Sequence, residues 1–327
     1  MEIGKIKSKD LEKYIFDNLS SNRKEVVVKS GTGLDNAVLD FGGDLIVAST
    51  DPITGASKNI GSIAINVSVN DVSCQCADPV GVLLTILLPP ETNIEKLDEI
   101  IKDANETCKK LKVDIVGGHT EVTDVVNKIL LSTTVIGRVD PLKIPKIEDI
   151  NTGDVVAVSK YIGLEGTSII ASDVEEFRNK LSKKEREVAL SLHEEISVLK
   201  ESKIASKYNV KHMHDITEGG LYGALWETSI AINHGICADF NEFPILDLTK
   251  KIEDFYKIDC CKLISSGSML MIFSKEDFEK FKEEAENENI KITKIGEVTS
   301  ENIAKVIKDE KELELREPEP DELYKVV

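Results

Sequence analysis

Residues 61–79 read GSIAINVSVNDVSCQCADP, and the rest of the chain is best understood outward from the Asn70-Asp71 pair inside this stretch. Ile63, Ala64, Val67 and Val69, set among small residues, make its first half one buried helical face. A carboxylate that emerges from such a face beside an amide must be neutralised, because an isolated buried charge is costly. Hard cations such as Mg²⁺ take carboxylate and amide oxygens and commonly arrive with phosphate. The surrounding sequence is therefore expected to supply further carboxylates and a phosphate cradle.

Upstream, residues 24–29 (KEVVVK) are strand-like, and Ser30-Gly31-Thr32-Gly33 breaks them off. Leu34-Asp35-Asn36 then leads into a hairpin whose strands are residues 37–40 and 44–49, with Phe41-Gly42-Gly43 as the turn. Antiparallel strands that bracket a turn bring their far ends together, which predicts that Asp35 lies beside the Thr50-Asp51-Pro52 corner. Downstream, Asp78-Pro79 is expected to close the helix, since proline disfavours helix in the residue before it. Residues 80–88 (VGVLLTILL) read as a strand covered on both faces. Ile94, Leu97, Ile101, Ala104, Cys108 and Leu111 recur in steps of three and four, which predicts a helix over 92–111 with Cys108 in its core. A strand at 112–116 then leads into Gly117-Gly118-His119-Thr120-Glu121, read as a turn, and a second long strand covers 129–139.

Residues 141–149 are polar with two prolines, so the domain boundary is set there, giving domains 1–145 and 146–327. Beyond it come a strand at 155–159, a glycine-rich loop at 161–167 and a long charged helical region over about 173–208. His212-Met213-His214-Asp215-Ile216-Thr217-Glu218-Gly219-Gly220 precedes a helix at 221–234. Asp215 is either its N-cap or a functional acid. Strands are expected at 262–264, 269–273, 290–295 and 303–307, with a helix at 275–287. The last twelve residues, REPEPDELYKVV, are acidic, broken by proline and expected to be extended. The alternation of strands and helices makes the class α+β or α/β.

A chain of 327 residues with 41% hydrophobic side chains can bury two cores. Its net charge of −18 argues against sequence-independent binding to nucleic acid or to an anionic membrane. No apolar run approaches the roughly 20 residues needed to cross a bilayer, and the first residues lack the apolar core of a secretory signal. A cytoplasmic location is expected. The six cysteines include a C-x-C and a C-C but no C-x-x-C, so neither a zinc knuckle nor a disulfide framework is indicated. They read as buried structural thiols, with a redox or soft-metal role for Cys74 and Cys76 as the alternative.

Six motifs in order complete the reading: GLDNAVL (33–39), STDP (49–52), VNDVSCQCADP (69–79), GGHT (117–120), GLEGTS (163–168) and HDITEGGL (214–221). At these separations they resemble the aminoimidazole ribonucleotide synthetase-related ATP-binding superfamily, which includes selenophosphate synthetase, thiamine-monophosphate kinase and the hydrogenase maturation factor HypE. The HypE segments, roughly GDDAAV, STD, VNDLAVMGARP, GGDT and RDPTRGGL, are the nearest in look. The resemblance implies a PurM-like two-domain α+β fold, with an N-terminal domain that pairs into a dimeric β-barrel and a C-terminal α/β sandwich domain. It implies Mg²⁺ held on ATP phosphates by Asp35, Asp51 and Asp71, with Asn70, Gly117, Gly118, Thr120, Gly219 and Gly220 near the nucleotide.

Asp215 and His119 are the candidate catalytic residues. The implied activity is Mg-ATP-dependent phosphorylation or activation of an oxygen on a small-molecule or protein-borne acceptor, in a homodimer. A nucleotide-binding assembly or regulatory protein without turnover is the alternative. It is favoured by departures from the HypE pattern, namely Asn36 and His119 where that pattern has aspartates, Glu218 where it has arginine, and the lack of that pattern's tail cysteine; Cys76 also stands where the pattern has glycine. His119 either contacts phosphate, shifts the metal toward Mn²⁺, or is a plain hydrogen-bonding histidine. HypE works through a C-terminal cysteine, whereas the last cysteine here is Cys261, so that chemistry is not expected on this tail.

Overall fold

The computed structural model describes residues 9, 26–28, 36–53 and 59–327. Its described residues from 26 to 144 form one compact unit, and those from 145 onward form another. Both are mixtures of sheet and helix, in the α+β class. Asp35 and the Ser30-Gly31-Thr32-Gly33 break lie outside the described residues.

The first unit holds a six-stranded sheet in the order β1-β2-β3-β6-β4-β5. The strands are β1 at Val26–Val28, β2 at Ala37–Asp40, β3 at Leu45–Ile53, β4 at Asp78–Leu88, β5 at Asp114–Val122 and β6 at Leu130–Val139. All pairings are antiparallel except β4 with β5, which the helix Ile94–Leu111 joins as a crossover. In the β2–β3 hairpin Asp40 pairs with Leu45, so Asp44 belongs to the turn rather than to the strand. Gly42 supplies the turn's positive φ of 85°.

The helix Ile60–Ser73 is buried on nearly every side, not on one face. Its small residues explain how. A Cβ on Gly61 would stand 2.4 Å from the Ile100 carbonyl oxygen, so glycine lets this helix lie directly against Ile94–Leu111. Asp103 accepts from the Ser62 backbone N–H at 2.7 Å across that contact. On the opposite side the helix packs on β3 and β6.

The helix also stops earlier than Asp78-Pro79, which already begin β4. Cys76 takes the left-handed conformation at φ 56°. Its N–H reaches the Ser73 carbonyl at 2.9 Å, and the Ala77 N–H reaches Val72 at 3.3 Å. This is a Schellman ending, which satisfies the last carbonyls of the helix without proline.

Two strand readings need correction. β4 alternates between buried and exposed rather than being covered twice: Val80 and Leu83 face outward while Val82 and Leu84 face the core. Gly117-Gly118-His119-Thr120-Glu121 is not a turn but the middle of β5, held extended by its pairing with β4. Gly118 has a φ of 144°, and a Cβ there would lie 1.9 Å from the Leu84 carbonyl oxygen, so the glycine serves a close strand contact. In the helix Ile94–Leu111 Cys108 is core, as its spacing predicts. Ile94 and Ile101 turn outward, and Ile100, Ala104 and Thr107 share the buried seam with Cys108.

The second unit carries a seven-stranded sheet in the order β13-β12-β9-β11-β7-β10-β8. Its strands are β7 at Val155–Ser159, β8 at His212–Asp215, β9 at Gly235–Asp239, β10 at Met269–Phe273, β11 at Ile292–Thr299, β12 at Ala304–Lys308 and β13 at Lys311–Glu314. β7 and β10 are buried at every residue and form the middle of the core. Phe273 of β10 stacks on Phe281 of the helix Lys275–Asn287 with ring centroids 4.7 Å apart.

The charged region expected over about 173–208 is helical in short pieces, Glu175–Arg178, Lys183–Leu192 and Leu199–Ala205, and the loop expected at 161–167 already enters a helix, Leu164–Asp173. The strand expected at 262–264 is instead a 3₁₀ turn, Cys260–Lys262. The C-terminal segment is not extended to its end: Glu322–Lys325 is a 3₁₀ turn, and Asp321, Glu322 and Leu323 are buried. Among the described residues no helix is long and apolar enough to cross a membrane.

Candidate functional site

Asp71 lies near the end of the Ile60–Ser73 helix and is 3% exposed. Its Oδ2 accepts a hydrogen bond from the Ser49 hydroxyl on β3 at 2.6 Å. The Asn36 amide donates to the Asp71 backbone carbonyl at 3.0 Å. Helix and hairpin thus meet at this carboxylate. Asp51 is two residues beyond Ser49 on the same strand and shares its inward face, opposite Thr133 of β6. Asn70 is fully buried beside Asp71.

The oxygen balance at this point is uneven. Asn36 Oδ1 and Thr133 Oγ1 are both buried and have no hydrogen-bond partner. Buried polar atoms are nearly always paired, so two orphaned oxygens close to a buried carboxylate mark a place suited to a cation or an ordered water. Ser49 is part of this group and did not stand out in the sequence, where a serine in STDP carries no signal beyond the motif itself.

The GGHT residues lie elsewhere in the same unit. β5 is the edge strand, separated from β3 by β6 and β4, roughly 14 Å across the sheet. Gly117, Gly118 and Thr120 are exposed there, and His119 contacts Glu121 at 3.3 Å with most of its ring in solvent.

In the second unit Asp215 ends β8 and is 1% exposed. It is not the N-cap of the next helix, Gly220–Ile232, since that position belongs to Gly219 at φ 86°. The Gly219 N–H donates to Asp321 Oδ2 at 2.8 Å, and the Gly220 N–H donates to the Thr217 carbonyl at 3.1 Å. Asp321 also accepts from the backbone of Ile264 at 3.2 Å and Leu323 at 2.8 Å. Burial nonetheless dominates, pushing its carboxyl up to about 6. Glu165, at the start of Leu164–Asp173, is likewise raised by burial, with the Asp321 charge adding to the effect and hydrogen bonds from Ser266 opposing it. His214 pairs with Glu227 at 2.9 Å in the interior beside Asp215. Sequence periodicity marks none of the three: Asp321 lies in an acidic, proline-broken run that reads as surface, while Glu165 in GLEGTS and Glu227 in LWETS are lone acids whose partners come from distant segments.

The cysteines split into different environments. Cys74 and Cys108 are buried. Burial pushes the Cys76 thiol up to about 12 despite the lowering influence of Lys143, so it stays protonated at neutral pH and reads as structural.

Comparison with known proteins adds the following. Residues 33–139 match the family described as AIR synthase related protein, N-terminal domain, and residues 151–309 match its C-terminal domain. A putative hydrogenase expression/formation protein of Methanocaldococcus jannaschii is 32% identical over 282 residues, covering 83% of this chain and 82% of that one. A selenide, water dikinase of Campylobacter jejuni is 25% identical over 300 residues, covering 83% and 85%. The structure of the hydrogenase maturation protein HypE in complex with ATP superposes with a TM-score of 0.74 at 19% identity, over 92% of each chain, and shows a shared fold.

Proposed function

The chain belongs to the AIR synthase related family, and we propose that it uses Mg-ATP to phosphorylate or activate an oxygen of a small-molecule or protein-borne acceptor. The observation that carries this reading is the Asp71 group: a buried carboxylate with orphaned Asn36 and Thr133 oxygens, which among the described residues joins no cluster of cysteine or histidine ligands. Such an oxygen-only set fits Mg²⁺. Asp71 and Asp51 would hold the ion together with Asp35, which lies outside the described residues. Bound Mg²⁺ would neutralise charge on the phosphate oxygens, which is much of what phosphoryl transfer requires of a site. Ser49 fixes the Asp71 carboxylate by donating to it, and Asn36 fixes the local backbone.

In this reading Asp215 orients the acceptor, while Gly117, Gly118 and Thr120 stand near the nucleotide. Gly219 and Gly220 shape the second-unit turn; their N–H groups are engaged by Asp321 and Thr217, so phosphate contact there would require those bonds to open. His119, exposed beside Glu121, is assigned a secondary role in contacting phosphate.

The outer face of the first sheet supports a homodimer. Val80, Leu83 and Ile136 are exposed on it, and the unpaired edge of β5 adds exposed Val116 and Val122. An open edge beside apolar residues is a surface that a second copy can cover.

Calorimetric titration with Mg-ATP, followed by a phosphate-release assay, tests the function. Saturable Mg²⁺-dependent binding with release in the presence of an acceptor is expected. Binding without release for every acceptor tried would favour the nucleotide-binding assembly or regulatory protein, which the uncharged Asn36 and the exposed His119 also favour. Absence of binding would sink both.

A further inference from the structure

Among the described residues one group of His, Cys, Asp or Glu side chains brings three ligand atoms together, and it lies outside the site described above. Asp259, Cys260 and Cys261 have their ligand atoms all within 4.8 Å of one another. Both cysteines are free and buried, at 1% and 0% exposure. The backbone explains the convergence. Cys260–Lys262 is a 3₁₀ turn, and Asp259 caps it by accepting from the Cys261 N–H at 3.0 Å, which folds the carboxylate back over the two thiols.

A second element supplies a further acid. Glu253, from the helix Asp247–Tyr256, accepts from the Cys260 N–H at 3.3 Å through Oε1, and its Oε2 stands 3.5 Å from the Cys260 sulfur. Buried cysteines that only fill space sit among apolar atoms. Cys260 and Cys261 border the apolar cluster that includes Leu221, Tyr222 and Leu225, yet carboxylates from two separate elements also reach this corner of it.

We propose that Cys260 and Cys261, with Asp259 and Glu253, form a buried site for a thiophilic divalent cation of the Zn²⁺ type. Two sulfurs and two carboxylate oxygens make a tetrahedral set that Zn²⁺ accepts and that Mg²⁺ and Ca²⁺ disfavour. Metal–sulfur bonds of about 2.3 Å and metal–oxygen bonds of about 2.1 Å put neighbouring ligands roughly 3.4–3.8 Å apart in a tetrahedron. The three ligand atoms within 4.8 Å of one another need a contraction of about 1 Å, and Glu253, now 3.5 Å from the Cys260 sulfur, completes the set by turning toward the other two. As each metal–sulfur bond forms, the thiol releases its proton to solvent, and the cation offsets the thiolate charges that burial would otherwise penalise. The site adjoins the Gly220 turn: a Cβ on Gly220 would lie 2.6 Å from the Cys261 carbonyl oxygen.

Titration of the metal-free protein with Co²⁺, read by absorption, tests the assignment. One Co²⁺ per chain is expected, with thiolate-to-metal charge-transfer bands and strong tetrahedral d–d bands that Zn²⁺ abolishes by displacement. Cys260→Ser and Cys261→Ser should each weaken or lose the charge-transfer bands, whereas Cys237→Ser should keep them. Glu253→Gln retains both thiols and should weaken binding by about ten- to a hundredfold. Alkylation under a brief denaturant pulse gives a readout on the wild-type chain: Zn²⁺ should protect Cys260 and Cys261 but not Cys237. A wild type without thiolate bands, bands that survive in the Cys260→Ser/Cys261→Ser double variant, or alkylation unchanged by Zn²⁺ would overturn the proposal.

Discussion

Asp71 and Asp321 are both buried aspartates, one in each unit, and their neighbours differ in a way that sets their roles apart. Three backbone N–H groups converge on Asp321. Near Asp71, whose carboxylate accepts from the Ser49 hydroxyl, Asn36 Oδ1 and Thr133 Oγ1 are buried oxygens that no donor reaches. A carboxylate ringed by donors is complete within its own fold. One set among surplus oxygens suits the cation proposed above. Residue type and depth of burial are the same in the two cases, so what separates them is the surplus of buried acceptor oxygens near Asp71, on which its proposed role as a metal ligand rests.

The largest effect expected from this contrast is at Asp71. Asp71→Asn keeps the volume and can still accept from Ser49, but it removes the charge. Mg²⁺-dependent ATP affinity should fall by about a thousandfold, roughly 4 kcal/mol, with little change in melting temperature. Calorimetry on both proteins checks this. Unchanged affinity would mean that the surplus oxygens do not mark a metal site, and the distinction from Asp321 would collapse. Ser49→Ala should give a smaller loss, about tenfold, because it frees the carboxylate without discharging it.

At Asp321 the expected effect is on stability and its pH dependence. Its native carboxyl titrates near 6 against an ordinary 3.8, so the folded chain holds a proton that the unfolded chain has released across this interval. Stability contributed by the protonated form is therefore full below about pH 4 and is lost as pH rises through 6. The loss amounts to about 2–3 kcal/mol. Asp321→Asn cannot titrate, so the difference between its urea-unfolding profile and that of wild type should carry this slope between pH 4 and 6. Parallel profiles would show that water reaches the carboxylate freely.

The same contrast explains what could be read from the sequence. Steps of three and four located the helix Ile94–Leu111 and put Cys108 in its core, and apolar runs located β10 and the helix Lys275–Asn287, because burial is written directly into such patterns. The Asn70-Asp71 pair was conspicuous because a charge interrupts an apolar helix. Asp321 was not, since it lies among acidic residues and prolines that look like surface, and its partners are backbone N–H groups that no side-chain pattern reveals. Gly117-Gly118 was misread for a related reason. Two glycines suggest a turn, but here a neighbouring carbonyl 1.9 Å from a would-be Cβ makes glycine necessary inside a strand.

Cys76 offers the smallest test, and it bears on how the Asp71 helix is held. The two helix ends near the two aspartates both use left-handed residues: Gly219 at φ 86° near Asp321, and Cys76 at φ 56° five residues beyond Asp71. At Gly219 the conformation is free of Cβ strain, and a Cβ would also meet Pro318 at 2.9 Å. At Cys76 the side chain opposes the conformation by about 1 kcal/mol, partly offset by the chain entropy that glycine would lose on folding. Cys76→Gly should therefore raise stability by at most about 0.5 kcal/mol, measured as a higher urea midpoint at unchanged slope. Mg-ATP affinity should not move, because the thiol, pushed up to about 12, brings no charge to the neighbourhood of Asp71. A destabilised variant would mean that packing of the thiol outweighs the backbone strain. A variant with altered affinity would mean that the helix end, and not only its carboxylate, positions the proposed metal site.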